Sequence, residues 1–235
     1  QFSSCLLDFG NAPSGDNLVA FLSFENTGMP VPAGYNGEAG TAINRSSVWS
    51  RKKIPLHTWT HVAFTRETNG LGHIYIDGAR VASGLLHAPR TVLRTNNFIG
   101  RSNWPIRARP DAILDEIRLW RVARSAEEIR RRMESVLTGA ESSLAAYWRL
   151  DEGGGDTASD ASGHGHTARL VNRPSWVPGS APLAQSPVAH TLTSDTLTAR
   201  GVTLRGAVFP NGFPTVAWFE WGADSRYGST TAPVR

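Results

Sequence analysis

Apolar and polar side chains alternate in the segment 59–84, WTHVAFTRETNGLGHIYIDGARVASG. Val62 and Phe64 are separated by a single small residue, and this period of two is typical of a half-buried strand. Asp77-Gly78 supplies two residues that tolerate a positive φ, as a two-residue hairpin turn requires. We therefore predict that HIYIDGARVAS forms a β-hairpin.

Short β-rich runs of the same texture recur along the first 150 residues. They read NLVAFLSF, NNFIG, DEIRLW and LAAYWRL, and glycine, proline, asparagine and serine separate them. Short strands at regular intervals with such turn residues are typical of sandwich and jelly-roll folds. The sequence therefore predicts an all-β fold.

One segment has helical periodicity. Ser125 followed by Glu128 is a capping box, and Gly139 is the kind of residue that ends a helix. Apolar residues fall on one helical face between them, namely Ile129, Met133, Val136 and Leu137. We predict one short helix over about 125–137.

The C-terminal third divides into a linker and a second β-rich part. Three prolines among small residues mark 178–187 as a linker. Beyond the linker, Pro210-Asn211-Gly212 is predicted to form a turn between two strands. The predicted domains are 1–177, 178–187 and 188–235.

Charge and cysteine content narrow the classes of function. The formal net charge is +4, and its basic clusters are Arg51-Lys52-Lys53 and Arg130-Arg131-Arg132. Neither cluster has interleaved aromatic residues, so no nucleic-acid partner is expected. Such runs are usually solvated surface, and an anionic partner is the alternative. The lone cysteine excludes a disulfide framework and a zinc ribbon, and no apolar run is long enough to predict membrane insertion.

Four ordered motifs resemble the laminin G-like, concanavalin A-like jelly-roll modules of bacterial surface and secreted proteins. They are WTHVAFTRETNGLGHIYIDGARVASG, NNFIGRSNWP, DAILDEIRLWRVARSAEEI and AAYWRLDEGGGDTASDASGHGHTARLVNRPSWVPG. The resemblance covers roughly residues 1–180. It implies two antiparallel sheets packed face to face, an extracellular setting, frequent carbohydrate binding and often one structural calcium ion.

The C-terminal string RGVTLRGAVFPNGFPTVAWFEWGADSRYGSTT is similar to fibronectin type III-like repeats. Family members usually begin some strands earlier, and the fibronectin-like part, 188–235, covers about half of a repeat. A fragment of a longer polypeptide is one interpretation. The other is that homomeric neighbours complete one another's sheets by strand addition, because open sheet edges accept a further strand.

The segment 150–166, LDEGGGDTASDASGHGH, concentrates carboxylates and histidines and raises the question of a metal site. A calcium loop of the EF-hand type that started at Asp156 would need glycine at its sixth position, where Ala161 stands. Zinc is disfavoured because no third histidine or cysteine stands at a useful spacing from His164 and His166.

The resemblance implies a different calcium site, with ligands from distant segments. By that resemblance the predicted ligands are Asp115 and Asp160, joined by Asp156 and by carbonyl groups near His164. The alternative is that Asp160 forms an Asx-turn and that Asp115 caps a strand.

Catalysis is not expected. Glycosidases related to this fold carry their carboxylates in a Glu-x-Asp-x-Glu string, which places them on one strand face. This sequence has no such string, and Asp115 and Glu116 are adjacent, so on a strand they would face opposite ways. Neither a nucleophile elbow nor a phosphate-binding loop is present.

A sugar-binding surface needs exposed aromatic rings beside amide and guanidinium donors. The loop GRSNWP, with Arg101, Asn103 and Trp104, has that composition, and Trp49 is a second candidate. The alternative is that both tryptophans fill the core. Three further tryptophans lie in strand patterns and are expected in the core, namely Trp59, Trp120 and Trp148.

The leading prediction is a non-catalytic binding or adhesion module, secreted or at the cell surface, with a polysaccharide or surface glycan as its ligand. Two alternatives stay open. One is a structural repeat or self-assembling subunit of a surface filament, and the other is an accessory module of a larger secreted enzyme.

Overall fold

A computed structural model describes most of the chain. The described residues are 3–13, 16–25, 34–43, 46–105, 109–178, 181–183, 188–194, 197–198, 201–209, 215–224 and 226–234. They form two compact units, the first comprising Gln1–Met133 and Thr138–Ala181 and the second Glu134–Leu137 and Pro182–Arg235. Within these ranges, no helix has the length and apolar character that crossing a membrane requires.

The regular elements of the first unit are almost all strands. In chain order its elements are β1 (Ser3–Gly10), β2 (Leu18–Glu25), β3 (Gly34–Ile43), β4 (Ser46–Lys53), β5 (Val62–Arg66), β6 (Leu71–Ile76), β7 (Ala79–Leu85), β8 (Asn96–Ile99), β9 (Ile117–Trp120), α1 (Ala126–Arg132), β10 (Leu144–Trp148), β11 (Thr157–Ala158) and β12 (Ala168–Arg169). The prediction of an all-β fold with one short helix is confirmed.

The strands of the first unit pair antiparallel throughout. One sheet has five strands in the order β4-β3-β2-β1-β8, and a second has three in the order β5-β6-β7. Strands β9 and β10 form a further pair, as do β11 and β12. Each neighbour in the five-stranded sheet is therefore a hairpin partner except β8, which returns to β1 from a distant part of the sequence.

An aliphatic core joins the five-stranded and three-stranded sheets. Val48 on β4 is buried while Ser47 and Trp49 on either side of it are exposed, which is the period of two expected of a strand with one buried face. The buried members of this core are Ile43, Val48, Ile54, Ile74, Ile76 and Leu86. Burying each such side chain contributes about 1.5–3 kcal/mol, so this layer supplies much of the driving force for folding.

A second cluster packs against the pair β9–β10. Its buried members are Ala146, Trp148 and Ala158. Trp148 is only 7% exposed, as expected of a core residue. Its indole N–H donates to the main-chain carbonyl of His166 at 2.7 Å, so the buried ring also has its polar atom satisfied.

Two of the other tryptophans behave differently. Trp120 is half-buried, with the guanidinium of Arg124 over its ring at 4.4 Å. Trp59 is 39% exposed, so the expectation that it belongs to the core was wrong. The physical reason is that the strand begins only at Val62, and Trp59 lies in the irregular segment before it.

The predicted hairpin is present. Strands β6 and β7 flank Asp77 and Gly78, whose φ angles of 49° and 70° are those of a two-residue turn with both central residues left-handed. A Cβ atom at Gly78 would lie 2.3 Å from Cγ of Arg130, so helix α1 passes close to this turn. The turn therefore needs glycine for its backbone angle and for its packing.

Helix α1 is shorter than the predicted 125–137. Its start is as expected, because Ser125 and Glu128 form a capping box in both directions. It ends at Arg132, where the main-chain carbonyl accepts a hydrogen bond of 2.7 Å from Nη1 of Arg118. A tertiary contact thus satisfies the helix end, and the apolar spacing at Val136 and Leu137 does not extend it.

Gly139 does not cap the helix. It lies at φ 93°, and a Cβ atom there would lie 1.9 Å from the carbonyl oxygen of Ala161. Its glycine is therefore required by the close approach of the segment that contains Asp160.

The second unit consists of short antiparallel pairs. Its strands are β13 (Val188–Leu192), β14 (Leu197–Thr198), β15 (Gly201–Val202), β16 (Arg205–Phe209), β17 (Glu220–Trp221) and β18 (Ser229–Thr230). They pair as β13–β16, β14–β15 and β17–β18. The predicted turn at Pro210-Asn211-Gly212 and most of the predicted linker lie outside the described residues. The fibronectin type III-like assignment and the domain limits stay predictions.

His61 lies between the hairpin turn and strand β9. Its main-chain N–H donates to Oδ1 of Asp77 at 3.0 Å, and its Nδ1 is buried with no partner among the described residues. Burial, with a smaller effect of the Arg118 guanidinium, lowers the pKa of His61 from 6.5 to about 4, and Asp77 opposes this only in part. The imidazole is therefore neutral in the folded protein at physiological pH.

We expect the free energy of unfolding to depend on His61 between about pH 6.5 and 4. Its folded pKa is the lower one, so its contribution is complete above the unfolded pKa and is lost as pH falls through the folded value. The loss should be about 3 kcal/mol relative to the His61→Gln variant, measured by urea unfolding across this range. His166→Gln, at an exposed histidine, is the control. Parallel pH profiles for wild type and His61→Gln would contradict the assignment.

Candidate binding site

The face of the five-stranded sheet that points away from the aliphatic core carries the candidate site. Residues that pair directly across an antiparallel sheet have side chains on the same face. The register aligns Ala42 with Ser47, Val19 with Ala42, and Asp8 with Val19. We call this the outer face, and it is defined by Asp8, Val19, Ala42, Ser47 and Trp49.

A buried carboxylate, that of Asp8, stands in the middle of the outer face with 0% exposure. Its Oδ1 accepts from Nδ2 of Asn17 at 2.7 Å and from Nδ2 of Asn103 at 2.9 Å. Its Oδ2 accepts from Oγ of Ser102 at 2.8 Å and from the main-chain N–H of Asn103 at 2.9 Å. All four lone-pair positions of the carboxylate are therefore occupied.

These four bonds make the burial of Asp8 tolerable. An isolated carboxylate loses its hydration on burial at great cost, and several strong donors are needed to offset this. Gly10 contributes by its missing side chain, because a Cβ atom there would lie 2.3 Å from the amide group of Asn17. The strand thus leaves room for one of the donors.

The carboxylate holds the loop 100–105 against the sheet. Gly100 enters the loop at φ 69°, and its N–H donates to the carbonyl of Leu6 at 2.8 Å. Ser102 and Asn103 then donate hydrogen bonds to Asp8, and the half-buried ring of Trp104 packs against the cluster of Cys5 and Val19. The loop is therefore fixed by polar contacts at its centre and by apolar contacts at its end.

Arg101 lies at the edge of the same face. Its side chain is exposed, and its guanidinium carbon lies 4.7 Å from the ring centroid of Phe98. Phe98 pairs with Asp8 in the register between β1 and β8, so it too belongs to the outer face. The cation–π contact holds the guanidinium in place while its donors stay accessible.

Trp49 lies on the opposite edge strand, β4. It is 38% exposed, and its indole N–H donates to Oγ of Ser47 at 3.2 Å. Four strand spacings of about 4.8 Å separate β8 from β4, so Arg101 and Trp49 mark the ends of a surface about 19 Å wide. Trp104, which packs against the cluster of Cys5 on β1 and Val19 on β2, lies between them.

The structure therefore brings Arg101, Asn103, Trp104 and Trp49 to one face. Asn103 has a structural role that the other three residues do not have. Its Nδ2 donates to Asp8 and, at 3.1 Å, to the carbonyl of Asn96. Its amide hydrogens hold the loop, whereas the two rings and the guanidinium present surface to solvent.

The predicted calcium ligands are not assembled in the same way. Oδ1 of Asp160 accepts from the main-chain N–H groups of Tyr147 at 3.0 Å and Ser162 at 2.9 Å, and from the Ser162 hydroxyl at 2.6 Å. Its Oδ2 accepts from the main-chain N–H of His166 at 2.9 Å. Partial burial favours the neutral acid, but the hydrogen bonds from Ser162, His166 and Tyr147 outweigh it and hold the pKa of this carboxyl well below its usual range.

The other predicted ligands form hydrogen bonds within the protein or are exposed to solvent. Oδ2 of Asp115 accepts from the main-chain N–H of Ala181 at 2.8 Å, and Nε2 of His164 donates to the carbonyl of Leu144 at 3.0 Å. Asp156 is exposed. Across the described part of the chain, no three His, Cys, Asp or Glu side chains stand close enough to hold a metal ion.

The oxygen atoms of Asp160 are not free for a calcium ion, because they accept hydrogen bonds from its own segment and from Tyr147 on β10. The contact from Ser162 N–H to Asp160 is that of an Asx-turn, the alternative interpretation of this residue. The glycine-rich segment 150–166 is thus a loop fastened by one carboxylate. Calcium binding itself stays a prediction.

Sequence reasoning missed Asp8, Asn17 and Ser102. A single carboxylate in the otherwise apolar run CLLDFG was the available signal, because a charge in a buried strand must have partners. Arg51 and Lys53 were also passed over as solvated charges. Both follow Trp49 on β4 and are exposed as it is.

The architecture defined above is an antiparallel β-sandwich with an aromatic and cationic outer face. A laminin G family model, described as "Concanavalin A-like lectin/glucanases superfamily", matches residues 8–130, which is more than half of the chain. The chain belongs to the concanavalin A-like lectin/glucanases superfamily. The match contains Asp8, strand β4 and the loop 100–105.

Two solved structures resemble the chain at 19% identity. One is from Bacteroides ovatus, is named a "putative carbohydrate binding protein", has a TM-score of 0.49, and is matched over 74% of this chain and 54% of that one. The other is residues 221–444 of an S-layer domain-containing protein from Clostridium thermocellum, with a TM-score of 0.27 and coverage of 55% of this chain and 62% of that one. The chain thus spans about half the length of the Bacteroides protein. No curated protein matches it. At this identity and these TM-scores, the two structures do not assign a function to the chain.

Replacing Asp8 by Asn should destabilise the first unit. The amide would present N–H donors to the amides of Asn17 and Asn103, leaving buried groups unpaired, at a cost of about 2–4 kcal/mol in the free energy of unfolding. Urea unfolding followed by tryptophan fluorescence measures this cost. Asp111→Asn, at an exposed carboxylate, should change stability by less than about 0.5 kcal/mol. Equal stability of the two variants would show that the Asp8 bonds do not hold the loop.

Replacing Asp160 by Asn tests the interpretation of the 150–166 loop. The variant should lose about 1–3 kcal/mol of stability, because its amide cannot accept all the N–H bonds of the carboxylate. The loss should be the same in calcium and in chelator, measured by thermal melting. A calcium site filled at a hundred times its dissociation constant would add about 2.7 kcal/mol to the wild type. If calcium stabilises the wild type by this amount but does not stabilise Asp160→Asn, Asp160 is a calcium ligand.

Proposed function

We propose that the first unit is a non-catalytic carbohydrate-binding module that acts outside the cell or at its surface, and that the outer face is its binding site. The observation that supports this most is the placement of Trp49, Trp104 and Arg101 on one face of a rigid sheet. Partly exposed indole rings stack on the apolar faces of sugars, and guanidinium groups donate to hydroxyl oxygens.

The rigidity of the surface supports the same proposal. Trp104 is backed by the sheet, and its loop is bonded to Asp8, so neither has to be ordered when a ligand binds. Binding that immobilises no flexible side chain avoids part of the entropy that association otherwise costs. Trp49 gains similarly from its bond to Ser47.

Membership of the concanavalin A-like superfamily is consistent with a binding module. The superfamily also includes enzymes, but this sequence lacks the alternating carboxylate string on which glycosidases of this fold depend. Self-association by strand completion remains a separate prediction, which sizing at high protein concentration tests.

Glycan-array binding tests the proposed function. Wild type should bind a subset of polysaccharides, and both Trp49→Ala and Trp104→Ala should weaken that binding at least tenfold, because each removes a stacking surface worth about 1 kcal/mol or more. Trp59→Ala is the matched control, since Trp59 is equally exposed but lies outside the outer face. Chelator should not change the result. Absence of binding to every glycan would refute the proposal.

A further inference from the structure

Strand β4 exposes basic side chains to solvent in addition to Trp49. Alternation holds from Ser47 to Trp49; beyond Trp49 the register with β3 shifts, and Arg51, Lys52 and Lys53 are all exposed. Trp49 pairs with Gly40 and Lys53 with Glu38, two residues away on β3, so Lys53 lies about 7 Å from Trp49 along the sheet. At this edge of the outer face the aromatic ring is therefore followed by exposed basic side chains.

The cations of this face are not neutralised by the described side chains. Arg51 and Lys53 form no ion pair among them, and Arg101 at the far edge stacks on Phe98 instead. The described carboxylate of the face, Asp8, is buried and bonded on both oxygens.

This arrangement differs from a solvated charge run. The helix cations have carboxylate neighbours, as in the pair between Arg131 and Glu127 one turn away. Arg51 and Arg101 instead flank the two rings of the outer face. Guanidinium groups bind carboxylate and sulfate by two parallel hydrogen bonds, which suits them to anions presented at fixed spacing.

We propose that the ligand of the outer face is an acidic polysaccharide, a sugar chain that bears carboxylate or sulfate groups. The chain lies across the sheet with sugar rings against Trp49 and Trp104, and its acidic groups stand beside Arg51 and Arg101. This inference rests on the proposed function and specifies its ligand class. The net charge of +4 favours the approach of such a chain.

Paired ligands that differ only in charge test the proposal by calorimetry on the full chain. Oligogalacturonate is compared with its methyl ester, and dextran sulfate with dextran, so that the two arms separate carboxylate from sulfate. At least one acidic form should bind about tenfold tighter than its neutral partner. Raising the salt concentration from about 0.05 M to 0.5 M should remove most of that difference, because exposed charges are screened.

Matched charge variants locate the effect. The double variant Arg51→Gln/Lys53→Gln should weaken binding of the acidic form about tenfold, as expected for loss of two exposed ion pairs. The double variant Arg121→Gln/Arg169→Gln removes the same charge from exposed positions elsewhere on the first unit and should change affinity less than about twofold. Thermal melting of both variants shows that they are folded.

The outcomes separate the two proposals. Equal affinity for charged and neutral partners, lost in Trp49→Ala, would overturn the acidic ligand but keep carbohydrate binding. Binding of acidic glycans and of DNA with equal affinity, unaffected by Trp49→Ala, would mean general polyanion attraction and overturn the inference. Failure of both charged ligands, when a glycan array identifies a neutral one, also overturns it. If no glycan binds, the proposed function is refuted together with this inference.

Discussion

The carboxylate of Asp8 is the point on which the candidate site depends. It is buried, it has no charged partner among the described residues, and the amides, hydroxyl and main-chain N–H that replace its hydration come from Asn17 and from the loop 100–105. A buried anion tolerates few alternatives, so the loop is bound to one position against the sheet. The positions of Trp104 and Arg101, which lie in this loop, therefore depend on the hydrogen bonds to Asp8.

The two faces of the five-stranded sheet have different parts, one packing in the core and the other carrying the proposed binding site. The inner face supplies aliphatic side chains to the core, and the alternation of strand residues then directs the neighbouring side chains outward. On β4 this makes Val48 a core residue and Trp49 a surface residue by the same geometry. Side chains presented by strands are held more precisely than those on loops, which suits the binding that we propose for this face.

The parts of the structure that local sequence determines were predictable. Alternation around Val62 and Phe64 and the left-handed turn at Asp77-Gly78 were enough for the strands and the hairpin, because these depend on neighbours within a few residues. The end of α1 was not, since it depends on Arg118, fourteen residues from the carbonyl that it bonds.

The site was predictable only in part for the same reason. The composition of Arg101, Asn103 and Trp104 suggested a sugar-binding loop, but Asn103 bonds Asp8 across 95 residues of sequence. No local pattern reports such a contact. The calcium prediction also relied on residue types, whereas the lone pairs of Asp160 are used by main-chain N–H groups within its own segment and from β10. Composition indicates which residues could bind, and tertiary contacts decide which of them are available.

Hydrogen–deuterium exchange of the full chain, with and without a saturating acidic oligosaccharide, tests most directly whether the outer face is the binding surface. We expect slower exchange in β4 and in residues 100–105 when the ligand is bound, with no change in residues 160–166. Protection confined to 160–166, or to residues outside the five-stranded sheet, would contradict the assignment of the site.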